Sequence, residues 1–446
     1  MKLHACFRFA FLLFAALGWL ACKDNPPCPP WAVPQGDTCV AIDRSAGLCL
    51  SGAEMCGKSC AFVENDNNHC GSCNRACAGN QHCADGQCLP CERESRVYAA
   101  CFATGEVAVL SSATRSLVER QVVGDKPQAL GGKGEVLLCA DDGAQQLLRL
   151  NAQTLQPVGD AVRTGETPIH VSISGAYVYV VNAGSNTLQL VDTQDKPDST
   201  WMTVGEVSFG PNTSPQSLAL FGNQGFVPLY GNLMSGETSV GQRLSRINLS
   251  NPASPELDGA ADFTSLHLQS YPGRKALPLP YDVVRHQDAL YVALNNLDVD
   301  AKPVPVPAGP GLIAKVEPQS MKSSVLSLGD TCRNVTTLAS NGKQLVASCA
   351  GDWGTTPGVA GLALLEDDKV QDTWAAPPGF SPGSLAFKCD ELWVANANGG
   401  DVFLFSVQGK RLQLLRGEGG SEGGPVETCP LGPVGYSVVQ SLWLKP

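Results

Sequence analysis

Charged and aromatic side chains are scarce: of 446 residues, 16% are charged and 7% aromatic, and there are six histidines and five methionines. No basic tract is present that could grip nucleic acid. Residues 1–21 hold Lys2 and Arg8 but no acid, so without them 29 basic side chains face 42 acidic ones, net −13. That is the wrong sign for neutralising phosphates. Long apolar runs are lacking as well; beyond residues 9–20 nothing is apolar enough to cross a bilayer. Residues 92–446 contain no HExxH or P-loop, the GxSxG spacing at Gly419-Gly420-Ser421-Glu422-Gly423 lies within a glycine-rich turn stretch at 417–424, and the only histidines are His170, His267 and His286. What is plentiful is glycine (47), proline (31) and cysteine (19). Short strands joined by tight turns suit that composition, and the class is all-β.

The chain is organised around Ala176 to Asp192, AYVYVVNAGSNTLQLVD. Residues 177–181 are β-branched or aromatic, 184–186 supply turn chemistry, and 188–191 resume the extended pattern, which predicts a hairpin. A shift of 41 residues lays it over LCADDGAQQLLRLN, with Asp141 on Asn182, Gly143 on Gly184, Leu147 on Leu188 and Asn151 on Asp192. Further copies begin near Val97, Phe226, Leu290, Leu345 and Leu392. A proline and a short apolar alternation precede most copies, at Pro127, Pro168, Pro215, Pro280 and Pro382, with Cys332 replacing the proline once and Pro433 opening a surplus segment. The spacings are 41, 47, 65, 52, 50 and 51 residues. Four strands per period of this length predict a seven-bladed β-propeller over residues 92–446, with six or eight blades as alternatives. The surplus segment 433–438 is expected to close the ring beside blade one.

The pattern GxxP…YVxNxGsnT…D falls on Gly165, Pro168, Tyr179, Val180, Asn182, Gly184, Asn186, Thr187 and Asp192. It resembles the YVTN repeats of bacterial surface and secreted propellers. The resemblance implies fold and export. Such repeats also occur in lactonases and lyases, so function is left open.

Ahead of the repeats, Lys2, His4 and Arg8 precede the apolar run and Ala21-Cys22, the pattern of a secretory signal over residues 1–21. The cysteine after a small residue resembles a bacterial lipoprotein signal, which implies lipidation of Cys22 and a tether over 22–30; the alternative is a secreted protein with Cys22 in a disulfide. Residues 31–91 form a cysteine-rich module: eleven of the nineteen cysteines lie between Cys28 and Cys91, with no periodic apolar pattern. Disulfides there replace a core. The spacing of Cys56, Cys60, Cys70, Cys73, Cys77, Cys83 and Cys88 around Asn68-His69-Cys70-Gly71-Ser72-Cys73 resembles the NCG-x-C modules of bacterial surface lipoproteins and of the stigma-specific family. Metal is not expected on these cysteines, because an exported segment oxidises its thiols.

Within the repeats, register predicts two disulfides, Cys332–Cys349 across blade six and Cys101–Cys429 across the ring closure. Cys139, inside an apolar strand, is the candidate free thiol. Insertions at 195–214, 230–242, 250–280, 295–311 and 351–358 are expected to cluster on one face. They carry the candidate binding residues Trp201, Tyr230, Asn232, His267, Tyr271, Asn295, Asp298, Asp352 and Trp353. The competing reading is that long loops bury their own aromatics. At the channel mouth, a polar ring is expected from Gln128, His170, Gln216, Asp282, Arg333 and Asn334. An enzyme would use His170 as base with Asp282 as its partner. The favoured expectation is a monomeric envelope-anchored or secreted protein, at the outer membrane or cell surface, binding a protein or glycan without cofactor. The alternative is a hydrolase or lyase at the channel mouth.

Overall fold

The computed structural model describes residues 96–444 apart from 175, 194–199, 233–239, 301–304, 353–357, 418–419, 431 and 433–438. Before residue 96 it describes only 32–35, 38–41, 54–56, 59–61, 63, 70–73, 75–77, 81–84 and 86–90. The signal, the tether and Cys22 fall outside the described residues, as does Trp353. The chain divides into two compact units, Met1–Leu48 and Cys49–Pro446. In the first, the described residues form one hairpin, Ala32–Gln35 against Thr38–Ala41. The second begins with two more hairpins, Glu54–Cys56 with Ser59–Ala61 and Gln81–Ala84 with Gln87–Pro90. The bridge Cys77–Cys88 lies among them.

From Arg96 onward the described residues make seven antiparallel blade sheets and one two-stranded hairpin, and include no α-helix. Blade three shows the unit: Pro168–Ser174, Tyr177–Asn182, Thr187–Asp192 and Met202–Ser208, in that order from the channel outward. The second strand of nearly every blade is an unbroken apolar run, buried along its length, because neighbouring blades cover both of its sides. Outermost strands such as Glu256–Asp262 are exposed and polar. Apolar side chains meet between each pair of neighbouring blades; Phe221, Phe226 and Phe263 fill the seam between blades four and five. Each such buried side chain contributes roughly 1.5–3 kcal/mol.

The ring closes by strand exchange. Val439–Leu444 is the innermost strand of blade one and pairs with Arg96–Cys101, Val439 opposite Cys101. Among the described residues the closing strand is thus 439–444; the segment 433–438 expected from the sequence lies outside them. Cys101 and Cys429 form a disulfide across this closure, Cα atoms 5.3 Å apart, and Arg120 Nε donates to Thr428 O at 2.5 Å. Cys332 and Cys349 are bridged within blade six, Cα atoms 5.2 Å apart. Cys139 is a free thiol with no exposure, and burial pushes its pKa far up. Cys389 is disulfide-bonded.

Blade six corrects one part of the sequence reading. In blades three, four and five the residue before the proline has a left-handed backbone: Thr167 (φ 50°), Ser214 (45°) and Leu279 (46°). Asn334 (φ 55°) is their counterpart, so Val335, and not Cys332, stands at the proline position.

Candidate functional site

A bulge interrupts the inner strand of most blades just after the proline position, for example between Pro168 and His170 and between Val439 and Ser441. The next two residues both border the channel. The first of them is Gln128, Ile169, Gln216, Tyr281, Thr336, Gly383 and Gln440. The second braces the next blade. Leu130 N–H donates to Ser441 Oγ at 3.2 Å, Val283 N–H to Ser217 Oγ at 3.0 Å, Leu338 N–H to Asp282 Oδ2 at 2.9 Å and Leu442 N–H to Ser384 Oγ at 3.1 Å. His170 hydrogen-bonds the backbone of Leu218, and Thr337 Oγ1 donates to Gly383 O at 2.5 Å. Ala129 occupies this position in blade two, and a methyl group cannot brace blade three. The chain therefore carries a nearly complete girdle of side-chain to backbone hydrogen bonds around a cavity of about 750 Å³.

That girdle accounts for both catalytic candidates. His170 Nε2 is 2.8 Å from Ser172 Oγ on its own strand. It borders the cavity and is half-buried, and desolvation lowers its pKa from 6.5 to about 4. The imidazole is thus neutral and a weak base. Asp282 lies two blades away in a different seam. Burial raises its pKa, while Leu338 N–H, Ser217 and its neighbour Val283 N–H (2.8 Å) hydrogen-bond the carboxylate and oppose the rise. Blade four stands between the two groups, and no hydrogen bond joins them. The expected pair is therefore two braces. Arg333 and Asn334 leave the expected mouth ring with the shifted register of blade six. Arg333 stacks on Tyr271, 4.8 Å from the ring centre, and Asn334 Nδ2 donates to Gly351 O at 3.1 Å.

The insertions interlock on the face where the inner strands begin. The blade-five insertion forms its own hairpin, Leu297–Asp298 with Val306–Pro307, and the segment 263–279 packs onto it. Tyr271 N–H donates to Ala308 O at 2.7 Å, Asn296 Nδ2 to Gln269 O at 3.1 Å, and Leu277 bridges Leu297. Asp298 is buried beside Arg274 at 3.6 Å, and Lys275 holds Asp300 at 3.0 Å. Each carboxylate thus has a cation. Asn295 is buried too, its Nδ2 donating to Val335 O at 2.7 Å. These two candidates hold the platform together instead of presenting themselves on it.

Others remain accessible. His267 is exposed, and Tyr271 is half-buried with its hydroxyl on Asp330. Burial and that carboxylate push its pKa up to about 12. Tyr230 meets Tyr281 edge to face, ring centres 5.8 Å apart, which joins the loop face to the channel rim. Asn232 Nδ2 donates to Asn212 Oδ1 at 3.2 Å, and Asp352 lies just after the second strand of blade six. Trp201 is on the opposite face. It sits beside Met202, which pairs with Asp192 at the far end of blade three, and its ring lies under Arg149 at 4.7 Å. Strand Met202–Ser208 divides the stretch 195–214 between both faces, and strand Glu256–Asp262 divides 250–280 in the same way, contrary to the expectation of one face.

No family model matches the chain, and no curated protein matches it. Solved structures do match. A proposed 6-phosphogluconolactonase from Bacteroides uniformis is 12% identical, covers 79% of this chain and 100% of its own, with a TM-score of 0.56. A second proposed 6-phosphogluconolactonase, from Bacteroides fragilis, is 11% identical over 80% and 99%, at 0.55. A protein from Lactobacillus plantarum is 13% identical over 79% and 100%, at 0.54. Likeness at such identities is likeness of fold. The chain is an all-β, seven-bladed β-propeller with disulfide bonds.

Proposed function

We propose that the protein is a monomeric binding or scaffold protein of the cell envelope that captures a protein or glycan partner on the platform built by its insertions. The observation that carries this reading is the interlocking of segment 263–279 with the blade-five hairpin. Four backbone, side-chain and ionic ties fix a loop surface that would otherwise lose entropy on binding. The Tyr271–Arg333 stack and exposed His267 sit on or beside it, and aromatic and arginine groups are those that anchor interfaces. A hydrolytic reading lacks a corresponding arrangement, since His170 and Asp282 are both consumed in bracing. Export and a lipid at Cys22 belong to the same proposal. The described disulfides support them, because such bonds persist in oxidising compartments.

The test is affinity capture with the full chain from envelope and culture supernatant, read by mass spectrometry for proteins and glycans. The double variant His267→Ala, Tyr271→Ala is compared with Trp201→Ala, which alters the other face. A partner kept by wild type and Trp201→Ala but lost by the double variant supports the platform. A partner lost equally by both variants, or no partner at all, overturns it. Labelling with a fatty-acid analogue, abolished by Cys22→Ser, tests the anchor.

A further inference from the structure

The channel mouth is a second place with unspent binding capacity, and it is uneven around the ring. On the arc of blades four to six the polar residues are already engaged. Gln216 Nε2 donates to Ser214 O at 3.0 Å and to its Oγ at 2.8 Å, Thr336 Oγ1 is 3.0 Å from Ser348 Oγ, and Tyr281 packs edge-on to Tyr230. On the arc of blades seven, one and two, Asn398, Gln440 and Gln128 line the cavity. Among the described residues none of these three amide side chains has a hydrogen-bond partner. Blade seven contributes Gly383 at the lining position, packed against Ala397, so it offers no polar side chain there.

Charge is nearly absent from the wall. The charged or titratable residues lining the cavity are His170, Asp282, Arg285 and, on the rim, Tyr281. Arg285 belongs to the far end, where its Nε donates to Gln287 O at 3.1 Å and its guanidinium lies 4.9 Å over Phe221. Asp282 is enclosed by its three donors, and His170 is neutral with Nε2 on Ser172. A phosphate or carboxylate entering from the mouth would lose its hydration and meet no free cation there.

We infer that the channel mouth binds a neutral carbohydrate, its hydroxyls on the amides of Gln128, Gln440 and Asn398 and its apolar face toward Tyr281. An amide side chain offers a donor and an acceptor side by side, which suits neighbouring hydroxyls. The cavity volume of about 750 Å³ lies in the range of small-molecule sites, so a short oligosaccharide fits where a folded protein does not. This site does not rest on the proposed function: its amides are separate from the platform, which the Tyr230–Tyr281 contact alone joins to the channel rim.

The test is calorimetric titration of the full chain with neutral di- and trisaccharides of glucose, galactose, mannose and N-acetylglucosamine. Their phosphorylated counterparts and uncharged tripeptides are titrated in parallel. Gln128→Ala and Gln440→Ala are each expected to weaken binding of a neutral sugar about tenfold, one hydrogen bond's worth. Asn398→Ala should weaken it to a similar degree. Circular dichroism and the melting temperature establish that each variant is folded, and His267→Ala, Tyr271→Ala should bind sugar as wild type does. Equal or tighter binding of the phosphorylated sugars, preference for the tripeptides, sugar binding unaffected by the channel variants, or no binding each overturns the inference. Loss in the channel variants with partner capture intact separates this site from the platform.

Discussion

His170 shows how a residue that looks catalytic in sequence serves structure. A lone histidine opening a strand beside a channel matches the pattern of a general base, but here its hydrogen bonds go to Ser172 and to the backbone of Leu218. Its environment still has a measurable effect. The folded pKa is about 4 against an ordinary 6.5, so in acid the unfolded chain takes up a proton that the folded chain refuses. Stability from this group is complete above pH 6.5 and is lost as pH falls toward 4, at most about 3 kcal/mol. Urea midpoints measured from pH 7.5 to 4 should therefore fall less steeply for His170→Gln than for wild type. Parallel curves would mean that the imidazole is freely hydrated. Asp282 has the opposite sense: its folded pKa is raised, so ionising it as pH rises through that value costs stability.

At the scale of the strand, the repeated hairpin was legible because both faces of the second strand are buried and the turn needs a left-handed residue. Asn186 takes that role in blade three (φ 58°) and Gln145 in blade two (φ 53°). The brace two residues after the proline was less legible. Ser217, Asp282, Ser384 and Ser441 share only a small polar character, and a bulge shifts the register where they stand. For the same reason blade six stands three residues out of the register that the proline spacing predicts, with Thr336 and Thr337 at the mouth in place of Arg333 and Asn334. The girdle predicts opposite effects at two equivalent positions. Ser384→Ala leaves Leu442 N–H without its acceptor and should cost about 1–2 kcal/mol. Ala129→Ser offers Val171 a brace that the wild type lacks and should add about 1 kcal/mol. Chemical denaturation of the two variants checks both signs, and a loss for Ala129→Ser would show that the seam between blades two and three has no room for a hydroxyl.

For the whole molecule, blade number and class followed from period and pattern, whereas the faces did not. Trp201 landed opposite the other candidates because an inserted segment changes face whenever a strand runs through it. The two bridges of the propeller differ in what they constrain. Cys101–Cys429 closes a loop with a sequence separation of 328, and Cys332–Cys349 one of 17. Chain entropy assigns roughly 5–6 kcal/mol to the first and about 3 kcal/mol to the second. The double replacement Cys101→Ala, Cys429→Ala should accordingly lower the denaturation midpoint more than Cys332→Ala, Cys349→Ala. The reverse order would mean that the ring stays closed by strand pairing alone in the denatured ensemble.

Strand pairing between residues 101 and 439 also sets a clock. At about 5–20 residues per second, the ribosome needs on the order of 20–70 s to deliver the second partner after the first. Throughout that interval Arg96–Cys101 has an apolar surface and an open backbone edge awaiting Val439–Leu444. Blades two to six can assemble in chain order, but the circle cannot be completed during most of synthesis. A nascent chain of this design carries an unsealed seam until its final strand arrives.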